Sequence, residues 1–476
     1  MPTRTIAVLA LSLFALSLPL SGCLAGAPPD AAALAQGVVA DATKAPALTD
    51  EMPSPTGRFQ TYSTTGTIDQ TNAFFVSLGT NGRSCVTCHQ PQDGWTITPA
   101  HLQARFDATT PKGTDPIFRT NDGSNSPDAD VSTETARTAA YSMLLTKGLI
   151  RVGIGIPAGA EFTLEAVDDP YGYASAAELS LFRRPLPSTN LGFLSTVMWD
   201  GRETFAATPI SADLKDQSNG ATLGHAQAAI GIDDATQSAI VDFESALYTA
   251  ATYDNDAKAL TDKLGQGDPV DLSQVPFYLG INDSLLHDPG LNAPPFTPVV
   301  FTLYDKWKDS TGKTNGTDGA RGAIARGMIL FNTKPISIVG VKGLNDKLGA
   351  PTIPGTCTTC HDTPNAGNHS VALPIDIGIA DASRRTPDLP LYTLRNLSTA
   401  ETIETTDPGR ALVTGKWADI GKFKGPTLRA LPSRAPYFHN GSAAGLDDVV
   451  DFYDTRFGIG LSTQEHSDLV AFLRTL

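Results

Sequence analysis

Four of the chain's five cysteines sit in two short runs, Cys85-Val86-Thr87-Cys88-His89 and Cys357-Thr358-Thr359-Cys360-His361. Two thiols three positions apart, with an imidazole beside the second, form the attachment signature of c-type haem. The thiols add to the porphyrin vinyl groups, and the adjacent imidazole reaches the iron from the proximal side. Other uses of Cys-x-x-Cys fit less well. A zinc site gathers four ligands close together, whereas these runs are far apart in the chain. A dithiol redox pair belongs in an α/β pattern, which this sequence lacks. The expectation is two covalently bound haem c groups, with His89 and His361 as proximal ligands.

The fifth cysteine, Cys23, follows a leader. Residues 1–22 carry one charge, Arg4, and an apolar run from Ile6 to Leu20, which reads as an export signal. Leu20-Ser21-Gly22-Cys23 is similar to a bacterial lipobox, in which the cysteine carries lipid. The alternative is ordinary cleavage after Ala25-Gly26-Ala27, which removes Cys23. Leu24, in place of an aspartate, favours the outer membrane. Residues 23–55 are rich in Ala and Pro and read as a flexible tether. The expected location is therefore periplasmic, anchored to the outer membrane through Cys23 without spanning it.

The chain has 476 residues, 41% of them apolar, enough for two or three packed domains. Its net charge of −15 argues against a nucleic-acid partner, which calls for a basic patch. The patterning predicts a mainly α fold: two helical cytochrome c-like domains, each holding one haem, at 56–255 and 316–476, joined by a Pro/Gly/Asp-rich connector at 256–315. A short apolar segment, Asn72–Leu78, precedes the first haem run. Gly319–Asn332 before the second and Thr236–Tyr253 after the first show helical spacing of apolar residues. Ser462-x-x-Glu465 is a capping box that opens a closing helix. An insertion at 99–182 is expected to be β-containing, with Val152–Ile156 and Glu161–Val167 as a hairpin.

With these motifs in order, the sequence resembles the di-haem cytochrome c peroxidase and MauG family. The residues that carry the resemblance are the two haem runs, Met198-Trp199-Asp200-Gly201-Arg202, Phe423–Arg429 and Ala435-Pro-Tyr-Phe-His-Asn-Gly441. The resemblance implies peroxide chemistry at the N-terminal haem, electron supply from the C-terminal haem, and Trp199 between them. It implies a second ligand to the C-terminal iron fourteen residues after His439, which is Tyr453. Peroxidases carry methionine there and the MauG type tyrosine. A phenolate favours ferric or higher iron, a thioether ferrous iron. A packing stripe of Leu446, Val449, Val450 and Tyr453 is the structural alternative, and Met328 the rival ligand. His439 and Tyr437 are expected to line that pocket or to support it.

Around the N-terminal haem the chain departs from the family. The distal glutamine falls on Gln217, while the glutamate position falls on Gln227, which cannot carry a proton. His225 is the nearby group able to act as distal acid–base or as a sixth ligand; His101 is its rival. The family's calcium contributors fall on Arg184 and Arg434, two cations, so calcium is doubtful. The implied substrate is hydrogen peroxide, with a small cytochrome c or cupredoxin as periplasmic donor. Two alternatives remain: MauG-like oxidation of a partner protein or small molecule, and a non-catalytic di-haem electron carrier. A homodimer is left open.

Overall fold

The computed structural model describes residues 47–109, 115–206, 208–284 and 294–476. The export signal, Cys23 and the tether up to residue 46 lie outside the described residues. No helix among the described residues is long and apolar enough to cross a membrane.

Both haem runs fold as the same tight turn, and the reason is local. The residue before the first cysteine donates its backbone N–H to a threonine two places after that cysteine. Ser84 N reaches Thr87 Oγ1 at 3.0 Å, and Thr356 N reaches Thr359 Oγ1 at 3.0 Å. The turn closes when the histidine N–H bonds the first cysteine's carbonyl, at 3.0 Å for His89 and 3.2 Å for His361.

In the N-terminal half, helix Asp234–Ser245 opens with Asp233 capping Thr236 N. It packs Ile240 and Phe243 against Phe74 and Trp95. The expected helix through Tyr253 stops here. Leu247–Asp254 is instead a strand paired antiparallel with Gly57–Ser63. The run Leu-Tyr-Thr-Ala-Ala-Thr-Tyr holds β-branched and aromatic residues that suit a pleated surface. Thr249 and Thr61 hydrogen bond across the pair at 2.9 Å. The segment 256–315 is more than a connector. It buries Phe301, Tyr304 and Trp307, the last two stacked at 4.5 Å, in the core of the C-terminal half.

That core is built on helices Gly316–Thr333 and Thr463–Leu473, the second capped by Ser462 with Glu465. They touch where Gly327 lies, since a Cβ there would stand 1.9 Å from Asp468 O. Met328 is fully buried in this core, and its sulfur accepts from Tyr304 N at 3.4 Å.

The insertion does not form its expected hairpin. Ile150–Ile154 pairs with Leu179–Arg183, and Phe162–Asp168 pairs with Leu391–Asn396, which also pairs with Thr402–Thr405. Alternation marks a strand without naming its partner. Phe162, Leu179, Leu181, Tyr392 and Leu394 share one core. The fold is thus mixed helical, with β structure spread beyond the insertion.

Replacing Gly327 by valine is expected to force these two helices apart and to cost at least about 1–3 kcal/mol. Thermal unfolding followed by circular dichroism measures it.

Candidate functional site

Each haem run opens into its own cavity. The first is lined by Cys85, Cys88 and His89, and the second by Cys357, Cys360 and His361. In both, the histidine's Nδ1 is engaged by a backbone carbonyl: Trp95 O at 3.1 Å for His89 and Gly367 O at 2.6 Å for His361. That bond fixes the tautomer and leaves the Nε2 lone pair for a metal. Burial also lowers both imidazoles, His89 to about 4, so the ring is neutral at neutral pH. The thiols are shifted the other way. Burial pushes Cys85, Cys357 and Cys360 up to about 12 and Cys88 to about 11. A dithiol redox pair wants a stabilised thiolate, so the environment speaks against that use.

Part of the wall of the N-terminal cavity is helix Ile210–Gly224. Leu214, Gln217, Ser218, Ala221, Thr222 and His225 all line it, a stripe at helical spacing. His225 follows the last turn and is oriented from behind. Its Nδ1 lies 2.5 Å from Asp122 Oδ2, and the other Asp122 oxygen accepts from Arg83. Arg83 is buried and also donates to Pro116 O and Ile117 O, each at 2.8 Å, and to His225 O at 3.3 Å. Burial works to raise Asp122, but its bonds to His225 and Arg83 outweigh that and keep the carboxyl below the usual range. The result is a carboxylate that holds an imidazole by Nδ1 and leaves Nε2 available.

Gln227 and His101 are not among the lining residues. Gln227 has a left-handed backbone and accepts from Asn81 Nδ2 at 3.3 Å, away from the cavity. His101 is half-exposed on helix Pro99–Ala108 and bonds Asp93 at 2.5 Å.

In the C-terminal cavity Tyr453, on helix Leu446–Phe457, lines the same space as His361 and both thiols. Burial, with the Cys360 and Cys357 sulfurs nearby, pushes its phenol well above the ordinary value. Met328 does not line this cavity. His439 does. It stacks on Phe423 at 4.0 Å, and burial lowers it to about 4 despite Asp407. Tyr437 lines the wall too, with its hydroxyl donating to Leu431 O at 2.9 Å.

Trp199 lines both cavities. Its indole N–H donates to Arg184 O at 2.8 Å, and its ring lies 6.2 Å from that of His439. The next residue, Asp200, is fully buried and binds Arg183 Nη1 at 2.6 Å. Arg183 turns its other edge to Asp407, at 2.7 and 2.9 Å. The Trp-Asp-Gly-Arg loop is thus clamped to the Arg183-Arg184 strand end.

The shared wall also carries Arg184, Arg434 and Lys424, all buried. None forms an ion pair among the described residues. Arg184 donates to Ile97 O at 2.7 Å, Arg434 O at 2.9 Å and Lys147 O at 3.0 Å, a carbonyl set of the kind a cation takes. Burial, reinforced by Arg434, lowers Lys424 to about 7. Two buried guanidiniums and a buried amine whose charge burial makes costly, on the wall of two apolar cavities, suit a planar cofactor that brings carboxylates of its own. Thiols, imidazoles, apolar walls and cations together fit haem c in each cavity.

Sequence reasoning missed Asp122, Arg83 and Glu244. Glu244 lines the N-terminal cavity with an oxygen that has no hydrogen-bond partner, and burial raises it to about 8. Asp122 has only a turn signal, Asn121-Asp122-Gly123, and nothing local ties it to His225.

No family model matches the chain. Over 136 residues it is 35% identical to cytochrome-c peroxidase IdrP2 of Denitromonas iodatirespirans, covering 26% of this chain and 36% of the relative. Over 193 residues it is 30% identical to cytochrome-c peroxidase IdrP1 of Pseudomonas sp. strain SCT, covering 36% and 43%. Over 123 residues it is 32% identical to cytochrome c551 peroxidase of Nitrosomonas europaea, covering 25% and 30%. The chain spans under half the length of each of these relatives. Among solved structures it is similar to a MauG-like protein associated with microbial copper homeostasis, at 16% identity and a TM-score of 0.36, covering 85% of this chain and 87% of that one. The sequence relatives bear out the resemblance to cytochrome c peroxidases.

The clamp makes a stability prediction with a definite sign. Burial works to raise Asp200, but Arg183 and Arg202 outweigh it and hold the carboxyl at about 2. An unfolded aspartate titrates at about 3.9. The stabilisation is therefore complete above about pH 4 and is lost as the pH falls through about 2. Arg183→Met leaves the buried Asp407 carboxylate without its arginine and Asp200 with Arg202 alone, and is expected to cost about 3–5 kcal/mol near neutral pH. Denaturant titrations of both proteins from neutral to acid pH measure the cost and its disappearance.

Proposed function

We propose that this chain, a relative of the cytochrome-c peroxidases, is a di-haem c-type oxidoreductase that reduces hydrogen peroxide in its N-terminal cavity. The observation that carries the reading is His225, oriented by Asp122 into the cavity that holds Cys85, Cys88 and His89. A c-type haem there supplies the iron and the electrons for cleaving the O–O bond. The chain's own groups handle the protons. His225 Nε2 would take a proton from one peroxide oxygen and return it to the other, which would leave as water. Asp122 accepts from Nδ1 and stabilises the imidazolium formed in between, as a carboxylate does for any imidazole base. Gln217 offers an amide N–H to orient the peroxide. Two electrons and two protons then balance one peroxide against two waters.

His361 and Tyr453, which line one cavity, would hold the second haem, and Trp199, part of the wall common to both cavities, would carry electrons between them. Arg184, Arg434 and Lys424 would neutralise the haem carboxylates, so the reading needs no calcium. The donor is a small soluble redox protein; the acidic chain steers a basic one fastest at low salt. Export and a lipid anchor at Cys23 place the enzyme in the periplasm.

A second reading rests on Tyr453. An anionic oxygen ligand favours oxidised iron over ferrous iron. It supports oxidation of a partner protein or small molecule at the C-terminal haem, with peroxide as oxidant.

Steady-state turnover with reduced cytochrome c and peroxide tests the first reading. His225→Ala is expected to lower kcat/KM for peroxide by about 10²–10⁴-fold, the usual scale of general acid–base catalysis. Asp122→Asn is expected to lose about 10-fold or more, with both haems retained. Unchanged turnover in His225→Ala would remove the proposal.

A further inference from the structure

We propose that the chain holds a third metal centre, a borderline divalent cation of the Zn²⁺ type, bound by Asp283, Asp362 and His369. Ligand atoms of the three residues all lie within 4.8 Å of one another. All three are buried, at 4%, 0% and 4% exposure. Coordination at about 2.0–2.2 Å brings tetrahedral ligands to comparable spacing with a small inward shift.

The imidazole is arranged as a ligand. His369 Nδ1 is held by Cys360 O at 3.2 Å, while Asp362 Oδ2 lies 3.1 Å from the same nitrogen without a hydrogen bond to it. The proton therefore belongs on Nδ1, and Nε2 keeps its lone pair. That Nε2 is buried, has no hydrogen-bond partner, and faces Asp283 Oδ1 at 4.0 Å. A lone pair and a carboxylate oxygen at this distance repel or ignore each other; a cation between them binds both. Asp362 is already oriented, with Ser370 N donating to its Oδ1 at 2.6 Å. Among the described residues it has no Lys or Arg ion-pair partner.

Charge selects the occupant. His369 also lines the C-terminal cavity, so a haem carboxylate is the competing partner for Nε2. The two buried carboxylates beside the ring, Asp283 towards Nε2 and Asp362 towards Nδ1, make an anion costly there and a cation favourable. Donor chemistry selects the kind of cation. Calcium and magnesium take all-oxygen sets, and Cu(I) takes sulfur. One imidazole with two carboxylates suits Zn²⁺, with Mn²⁺ or Fe²⁺ as substitutes.

The site is tied to the redox groups. Asp362 follows His361 directly, and Ser195 Oγ donates to His369 O at 2.6 Å from the loop that leads to Trp199. A cation here would brace the haem turn against that loop. The proposal stands apart from the peroxidase reading, since it needs no turnover.

The test is metal analysis of the purified full-length holoprotein, with haem iron counted separately by pyridine haemochrome. About one equivalent of Zn²⁺, or of Mn²⁺ or non-haem Fe²⁺, is expected per chain. Asp283→Asn and His369→Gln are expected to lower it at least about 10-fold with haem content unchanged. In case either variant folds poorly, wild-type protein stripped with a chelator and titrated with Zn²⁺ alone should take up one equivalent and melt at a higher temperature. Wild type without stoichiometric non-haem metal that also takes up none on titration, or a folded His369→Gln variant with full metal, would overturn the proposal.

Discussion

Arg183 reaches two carboxylates from one guanidinium, Asp200 at 2.6 Å and Asp407 at 2.7 Å, in a place closed to solvent. Two buried anions sharing one buried cation, with Arg202 also on Asp200, are costly to assemble and more costly to break, because losing Arg183 leaves buried Asp407 without its arginine. The clamp joins a strand of the insertion, the Trp-Asp-Gly-Arg loop and a segment after residue 400. Trp199 stands beside it, with its indole bonded to Arg184 O. Everything proposed for electron flow depends on that ring being fixed between the cavities, and a rigid clamp does this better than packing alone.

The same logic runs through the rest of the site. Each proximal histidine is turned by a carbonyl, and His225 is turned by a carboxylate that Arg83 itself holds in place. Arg184, Arg434 and Lys424 lie on the common wall, and Arg184 donates to three backbone carbonyls.

How much of this was legible in the sequence depended on range. Local features read well: the two haem turns, the closing helix at Ser462 and the helix ending at Thr333 follow from spacing and capping chemistry. Partnership at a distance did not. Val152–Ile156 and Glu161–Val167 alternate as strands should, yet each pairs with a segment far along the chain. Leu247–Asp254 continues a helical apolar pattern and still becomes a strand, because Gly57–Ser63 offers it an edge. Val300–Trp307 sits in a Pro/Gly-rich stretch that masks its aromatic core residues. Asp122 reads as one residue of a turn. Its contact with His225 exists only in the folded chain, as does the meeting of Asp283, Asp362 and His369.

Low-temperature EPR of the as-isolated diferric protein, repeated on His225→Ala, tests the central claim that His225 faces an open iron. The account predicts a high-spin signal beside a low-spin one in the wild type. It predicts the same pair in His225→Ala, since a distal acid–base group leaves ligation unchanged. Two low-spin signals in the wild type, with a high-spin centre freed by His225→Ala, would make His225 a ligand and contradict it.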